Sequence, residues 1–180
     1  MCVYNTTERY GLVSKLFHWI IALLVLVMLC VGASFQYLQS SHFTSTLVFI
    51  HKSTGVTILG LMVLRLLWRW INPVPQFPET MPTWEKLIAR FVHYLFYVVI
   101  IIMPITGIVM SAAAGYSVPF WWINNLPLSF ITKNESLSHF MQNWHEYVAW
   151  MIVGLYVLHT LAALKHHFKD HDNILKRMWL

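Results

Sequence analysis

Histidine is the residue with chemistry to offer in this sequence, with ten copies among 180 residues that are otherwise short of polar groups. His145 and His159 lie fourteen residues apart. In a helix that is about 21 Å of rise, and fourteen steps of about 100° return to within about 40° of the starting face. One helix would therefore present two imidazoles on one face, one near each end. His18 matches the depth of His159, and His51 matches the depth of His145. Neutral imidazole is a ligand for iron, and a metal held between two histidines suits electron transfer better than oxygen binding. The pairs His18 with His159 and His51 with His145 would hold two six-coordinate haems, stacked along the helix axis.

The elements that must position these rings are apolar. Hydrophobic residues make up 58% of the chain and charged residues 11%, against about 25% charged in an ordinary soluble domain. That excludes a soluble globule, and an aromatic content of 16% excludes disorder. A bilayer core of about 30 Å needs about 20 helical residues. Four stretches qualify: Leu16 to Tyr37, Leu47 to Trp70, Leu87 to Ala114 and Trp144 to Leu164. The third carries Pro104 and Gly107, which should bend it. Period-two alternation is absent, so a transmembrane barrel is excluded. Pro-rich sequence separates the second and third spans. The longest link, Tyr116 to Gln142, carries Trp121 and Trp122, which suit a membrane interface on a short amphipathic or re-entrant segment.

Orientation follows from charge. Of the twelve Lys and Arg residues, all but Lys52 and Lys133 fall on one side of a four-span arrangement. The positive-inside bias places both termini in the cytoplasm. The formal charge of +5 is therefore a topology signal rather than a sign of nucleic-acid binding. The first apolar run is too long for a secretory signal, and three more spans follow it. Cys2 and Cys30 are too few and too far apart for a disulfide framework, and Cys30 reads as a packing residue.

Secondary positions fit the histidine scheme. Gly32 lies fourteen residues after His18, Gly107 fourteen after His93, and Gly55 one turn after His51. Glycine there would let a flat macrocycle approach the backbone, although membrane helices also use small residues simply to pack. His93 reads as a hydrogen-bonding neighbour or a propionate partner. His42 falls in a loop and His139 before the fourth span, and neither receives a role. Arg65 and Arg69 lie near the depth of the inner pair, where a guanidinium can pair with a carboxylate of a cofactor. The run Lys165 to Asp172 contains His166, His167 and His171 beside Asp170 and Asp172. It reads as a basic membrane anchor rather than a dedicated metal site, and a histidine at this level could also donate to a quinone carbonyl.

The segments ERYGLVSKLFHW, HKSTGVTILGLMVLRLLWR, NWHEYVAW and LHTLAALKHHFKDHDNILKRM resemble the bacterial cytochrome b561 family, and the likeness covers nearly the whole chain. The resemblance implies an all-α, integral-membrane four-helix bundle enclosing two b-type haems. It would be a single transmembrane cytochrome b domain over residues 1–180 in the inner membrane. His18 and His159 would ligate the cytoplasmic-side haem, and His51 and His145 the periplasmic-side one. One branch of the family is known as superoxide oxidase, which takes electrons from periplasmic superoxide and passes them to ubiquinone. For that reaction Lys52 and Lys133 are the candidate cations that steer superoxide, His166 the quinone partner, and Arg65 and Lys165 weaker candidates for the quinone site. Glu135 and Glu146 nearly cancel the two lysines, so the outer face is not strongly basic. The runner-up is a cytochrome b module exchanging electrons between the quinone pool and a periplasmic redox protein. A non-haem metal-handling scaffold is the third reading.

Overall fold

The computed structural model describes residues 2–179. Its long elements are α1 (Leu12–Ser34), α2 (His42–Trp70), α3 (Thr83–Ala113) and α4 (Glu135–Phe168), with a 3-10 turn at Phe35–Tyr37 after α1 and a short α5 (Ile174–Met178). All four long helices are apolar and long enough to cross a bilayer. Among the described residues there is no strand, only an isolated bridge between Phe120 and Ile123.

α2 and α4 start before their apolar windows because side-chain caps rather than hydropathy set where they begin. Asn134 accepts from the Leu137 amide at 2.9 Å, so α4 starts at Glu135 and His139 lies inside it. Ser41 does the same for Thr44 at 3.1 Å, which places His42 in the first turn of α2 rather than in a loop. Such side-chain acceptors satisfy amides that have no partner within the helix. The 34 residues of α4 span about 51 Å, well beyond a hydrocarbon core of about 30 Å.

The long link therefore covers residues 114–134 and contains no helix. Trp121 takes a left-handed backbone, φ 50°, at the turn closed by Phe120 and Ile123. Its indole nitrogen donates to Thr57 Oγ1 at 3.0 Å and its amide to Ser53 Oγ at 3.1 Å. The link is thus fastened to α2 within two turns beyond His51. Cys30 faces outward and takes no part in the core, contrary to the packing role read from sequence.

At the other end the chain termini meet. Lys15 Nζ donates to the Trp179 carbonyl at 2.6 Å, and Trp19 Nε1 to the Met178 carbonyl at 2.8 Å. Asn5 ties the N-terminal segment to the start of α1 and to the α2–α3 link, bonding Gly11 N, Ser14 Oγ and the Pro73 carbonyl. A Cβ at Gly11 would stand 2.3 Å from the Val3 carbonyl oxygen, so only glycine permits this fold-back. We refer to this as the terminal end and to the side of residues 114–134 as the loop end.

Helix packing is uneven. α3 lies along α4, α1 along α2, and α2 along α3, whereas α1 and α2 keep their backbones away from α4. Space is therefore left between α4 and the α1–α2 pair. Large apolar side chains such as Leu23, Leu64 and Leu161 point away from the bundle, as lipid-facing positions should.

Candidate functional site

The space beside α4 is built in three levels, each helix contributing one residue per level at seven-residue spacing. Seven residues are about 10.5 Å of rise and nearly two full turns, so they keep one face. α1 gives His18, Val25 and Gly32; α2 gives Arg65, Ile58 and His51; α3 gives His93, Ile100 and Gly107; α4 gives His159, Ile152 and His145. The middle level, Val25, Ile58, Ile100 and Ile152, is less than a tenth exposed throughout and belongs to the main hydrophobic cluster. It is a dry, β-branched partition between two polar levels.

The level nearer the loop end contains His51 and His145, whose ring centres are 6.3 Å apart with planes at 70°. The level nearer the terminal end contains His18 and His159, 6.2 Å apart at 63°. Both pairs cross the space where the helices do not pack. An imidazole nitrogen about 2 Å from a metal leaves its ring centre a little over 1 Å further out. Two rings on opposite sides of one metal would then stand about 6.3 Å apart. Both pairs have that separation.

Hydrogen bonding selects the free nitrogen at His145. Its Nδ1 lies 3.1 Å from the Met103 carbonyl oxygen and 3.0 Å from Thr106 Oγ1. Thr106 spends its own proton on the same carbonyl at 2.7 Å. Nδ1 must therefore be the N–H, which leaves a lone pair on Nε2, the arrangement usual in metal-ligating histidines. His51 Nδ1 is buried without any partner, a costly state for a polar atom. The glycines make room for these rings: a Cβ at Gly32 would meet His51 Cε1 at 3.6 Å, and one at Gly107 would meet His145 Cε1 at 3.0 Å. Gly55 faces Pro104. Both residues line an apolar cavity with His51, His145, Val25 and Ile152. A bare transition ion would need further polar ligands, and this lining offers none. The donor set and its apolar walls fit iron carried in a flat macrocycle.

The terminal-end level is more polar. Arg65 Nη2 stands 3.4 Å from His18 Nδ1. The guanidiniums of Arg65 and Arg69 lie 5.6 and 5.5 Å from the centre of the Tyr97 ring. Neither has a carboxylate within ion-pair distance among the described residues, so both are available to an anionic group on a cofactor. His93 is a third imidazole here, with its ring centre 5.7 Å from that of His159.

The remaining candidates lie outside the two levels. His166, seven residues beyond His159 on the same face of α4, is buried among Glu85, Asp170 and Asp172. Glu85, His166 and Asp170 offer donor atoms within 4.8 Å of one another, but the cation among them is the Lys165 ammonium, 2.7 Å from Glu85 and 2.9 Å from Asp170. His167 and His171 do not join this cluster. At the loop end, Lys52 Nζ donates to the Ser117 carbonyl at 2.9 Å, and the Lys133 stem would contact a Cβ at Gly115 at 3.6 Å. Both loop-end lysines thus converge on residues 115–117. Sequence reading missed Glu85, Thr106 and the isoleucine partition. The seven-residue ladder was present in all four helices and is the signal that identifies the partition.

A family model described as prokaryotic cytochrome b561 matches residues 9–180. The chain is 33% identical over 181 residues to cytochrome b561 homolog 2 of Escherichia coli (strain K12), covering 99% of this chain and 95% of the relative. It is 28% identical over 174 residues to cytochrome b561 homolog 1 of the same organism, with 95% and 97% covered. It is 30% identical over 173 residues to the probable superoxide oxidase CybB of Yersinia pestis, with 95% and 96% covered.

Proposed function

Because the chain belongs to the prokaryotic cytochrome b561 family of electron-transfer membrane cytochromes, we propose that it oxidises periplasmic superoxide and reduces ubiquinone. It is a multi-pass bacterial membrane protein with redox activity. On this reading it is one transmembrane cytochrome domain over residues 1–180 with two b haems and both termini cytoplasmic. The terminal end then faces the cytoplasm and the loop end the periplasm, as the positive-inside rule requires.

The observation that carries the reading is the pair of matched histidine separations, 6.2 and 6.3 Å, at two levels divided by a dry partition. His18 and His159 hold the inner haem, and His51 and His145 the outer one. The haems, when bound, supply one-electron transfer across the bilayer. Met103 and Thr106 keep Nε2 of His145 free to ligate. Arg65 balances negative charge beside the inner pair. Lys52 and Lys133 present positive potential at residues 115–117, where an anionic radical is attracted over long range. At the inner face, His166 donates from Nε2 to a quinone carbonyl. Ubiquinone takes two electrons and two protons, so two superoxide anions are consumed and two O2 released per ubiquinol. The relative named as a probable superoxide oxidase supports this choice of donor.

A second reading, electron exchange between the quinone pool and a periplasmic redox protein, is favoured by Tyr116, Trp122 and Phe130, all largely exposed on the same loop. One experiment separates the two. The purified protein is assayed for haem per chain, and its visible spectrum is followed during superoxide generation with and without ubiquinone. The superoxide reading expects two haems and rapid reduction that superoxide dismutase abolishes, then reoxidation by quinone. Two intact haems that ignore superoxide yet equilibrate with quinol would establish the second reading, and a missing Soret band would remove both.

A further inference from the structure

The acidic cluster around His166 has an asymmetry that assigns a task to each atom. Nδ1 lies 2.7 Å from Asp172 Oδ2 and 3.1 Å from Asp170 Oδ2. Carboxylate oxygens accept, so Nδ1 carries a proton in a strong, charge-assisted bond. The nitrogen left to exchange a proton is Nε2. It faces Glu85 Oε2 at 3.8 Å, too far for a hydrogen bond and far enough for an oxygen atom to lie beside both. The other oxygen of Glu85 is fixed by Lys165 at 2.7 Å, so the carboxylate is held in place with Oε2 unspent.

Asp172 is doubly engaged. While Oδ2 takes the His166 proton, Oδ1 accepts from the Ile174 amide at 2.9 Å and begins α5. α5 is fastened in turn to α1, through Lys15 to the Trp179 carbonyl and Trp19 to the Met178 carbonyl. The imidazole is therefore oriented by the C-terminal helix as well as by its own. Lys165 holds Asp170 below the usual carboxylate range through their hydrogen bond, so Asp170 stays ionised. The charged groups facing His166 are Glu85 from α3, Lys165 on its own helix, and Asp170 and Asp172 from the link to α5.

We propose that Glu85 relays protons from the cytoplasmic surface to Nε2 of His166 and that Asp172 is the positioning residue that holds the ring for this transfer. The proposal rests on the reading of His166 as the quinone partner. Each proton leaves Nε2 for a quinone oxygen, Nε2 is reprotonated from Glu85 Oε2 through a water molecule between the two, and Glu85 from bulk water. Two such transfers, with one electron from each of two superoxide anions that leave as O2, convert ubiquinone to ubiquinol.

The test uses the purified haem-loaded protein and a short-chain ubiquinone. The rate of quinone-dependent haem reoxidation is measured against pH for the wild type, H166A, E85Q, D172A and D172N, with haem per chain as the check on folding. E85Q is expected to slow the reaction by about tenfold or more at alkaline pH, with its falling limb moved to lower pH and the quinone KM unchanged. D172A should lower the rate across the range, and D172N should recover much of it, since the amide oxygen still accepts from Nδ1. An E85Q profile identical to the wild type, with H166A slow, overturns the relay and leaves the quinone reading standing. H166A with wild-type kinetics overturns the quinone reading itself. Should E85Q lose haem because Lys165 keeps only Asp170 as a partner, E85Q/K165M removes both charges together. A wild-type profile in that variant overturns the relay as well.

Discussion

The backbone at Gly107 lies so close to the His145 imidazole that a methyl group there would come within 3.0 Å of Cε1 and 3.3 Å of Nδ1. The ring cannot simply retreat, because Nδ1 is held by Met103, one turn earlier on the same helix, and by Thr106, the preceding residue. Gly32 stands in the same relation to His51 with more room, 3.6 Å. Gly107→Ala should therefore disturb the outer haem while Gly32→Ala leaves it nearly normal. A strained contact of this kind costs about 1–3 kcal/mol, enough for a changed potential or partial loss of one haem. Redox titration with haem quantitation checks this, and equal behaviour of the two variants would refute it.

Histidine replacement separates the levels. His145→Ala should remove the outer haem and His159→Ala the inner one, each leaving the other in place, because the partition of Val25, Ile58, Ile100 and Ile152 lies between them. His93→Ala should keep both. Its ring is 5.7 Å from that of His159, closer than either matched pair, and it comes from α3, which packs along α4 rather than across the open space. Two bis-histidine haems remaining after His159→Ala would end the ligand assignment. Loss of the inner haem from His93→Ala would transfer that assignment to His93.

Arg65 lies beside His18 with no carboxylate to neutralise it among the described residues. A nearby positive charge favours the electron-rich state of a redox centre by Coulomb attraction, strongly so where the effective dielectric constant is about 20 rather than 80. Arg65→Gln should lower the inner potential by tens of millivolts and leave the outer one unmoved. A spectroelectrochemical titration that resolves the two centres is the measurement. A shift of equal size at both centres would show that Arg65 acts on the whole bundle rather than on its own level.

The approach of His18 to His159 and of His51 to His145 was legible because helical geometry turns a fourteen-residue interval into a depth and a face. Gly32 and Gly107 were legible by the same arithmetic, but the rings they accommodate, His51 and His145, belong to neighbouring helices. Helix ends were not legible from hydropathy, which marks the bilayer rather than the hydrogen-bonded helix. Asn134 and Ser41 carry that information as caps. Glu85 was hidden for a different reason. It is separated from His166 by 81 positions in sequence, and only the packing of α3 against α4 brings its carboxylate to the imidazole. The course of the Trp-rich link was not legible because it depends on bonds of the Trp121 amide and indole to Ser53 and Thr57 on a different helix, α2.

At the loop end the two lysines differ in what they are attached to, and their variants should differ accordingly. The Lys133 stem packs on Gly115, a position with φ 83° that disfavours any other residue, while its ammonium has no ion pair among the described residues. Lys52 spends its ammonium on the Ser117 carbonyl and lies 5.7 Å from the centre of the Tyr116 ring, so it fastens the link as well as charging it. Lys133→Glu should slow the second-order reaction with superoxide about threefold to tenfold at low salt. The gap should close once the screening length falls to about 8 Å near physiological ionic strength. Lys52→Met should slow the reaction by an amount that salt does not erase, because the displaced link changes access as well as potential. Rates measured by pulsed superoxide generation over a series of salt concentrations distinguish these outcomes. A Lys133→Glu rate equal to the wild type at the lowest salt would show that superoxide is not drawn in at residues 115–117.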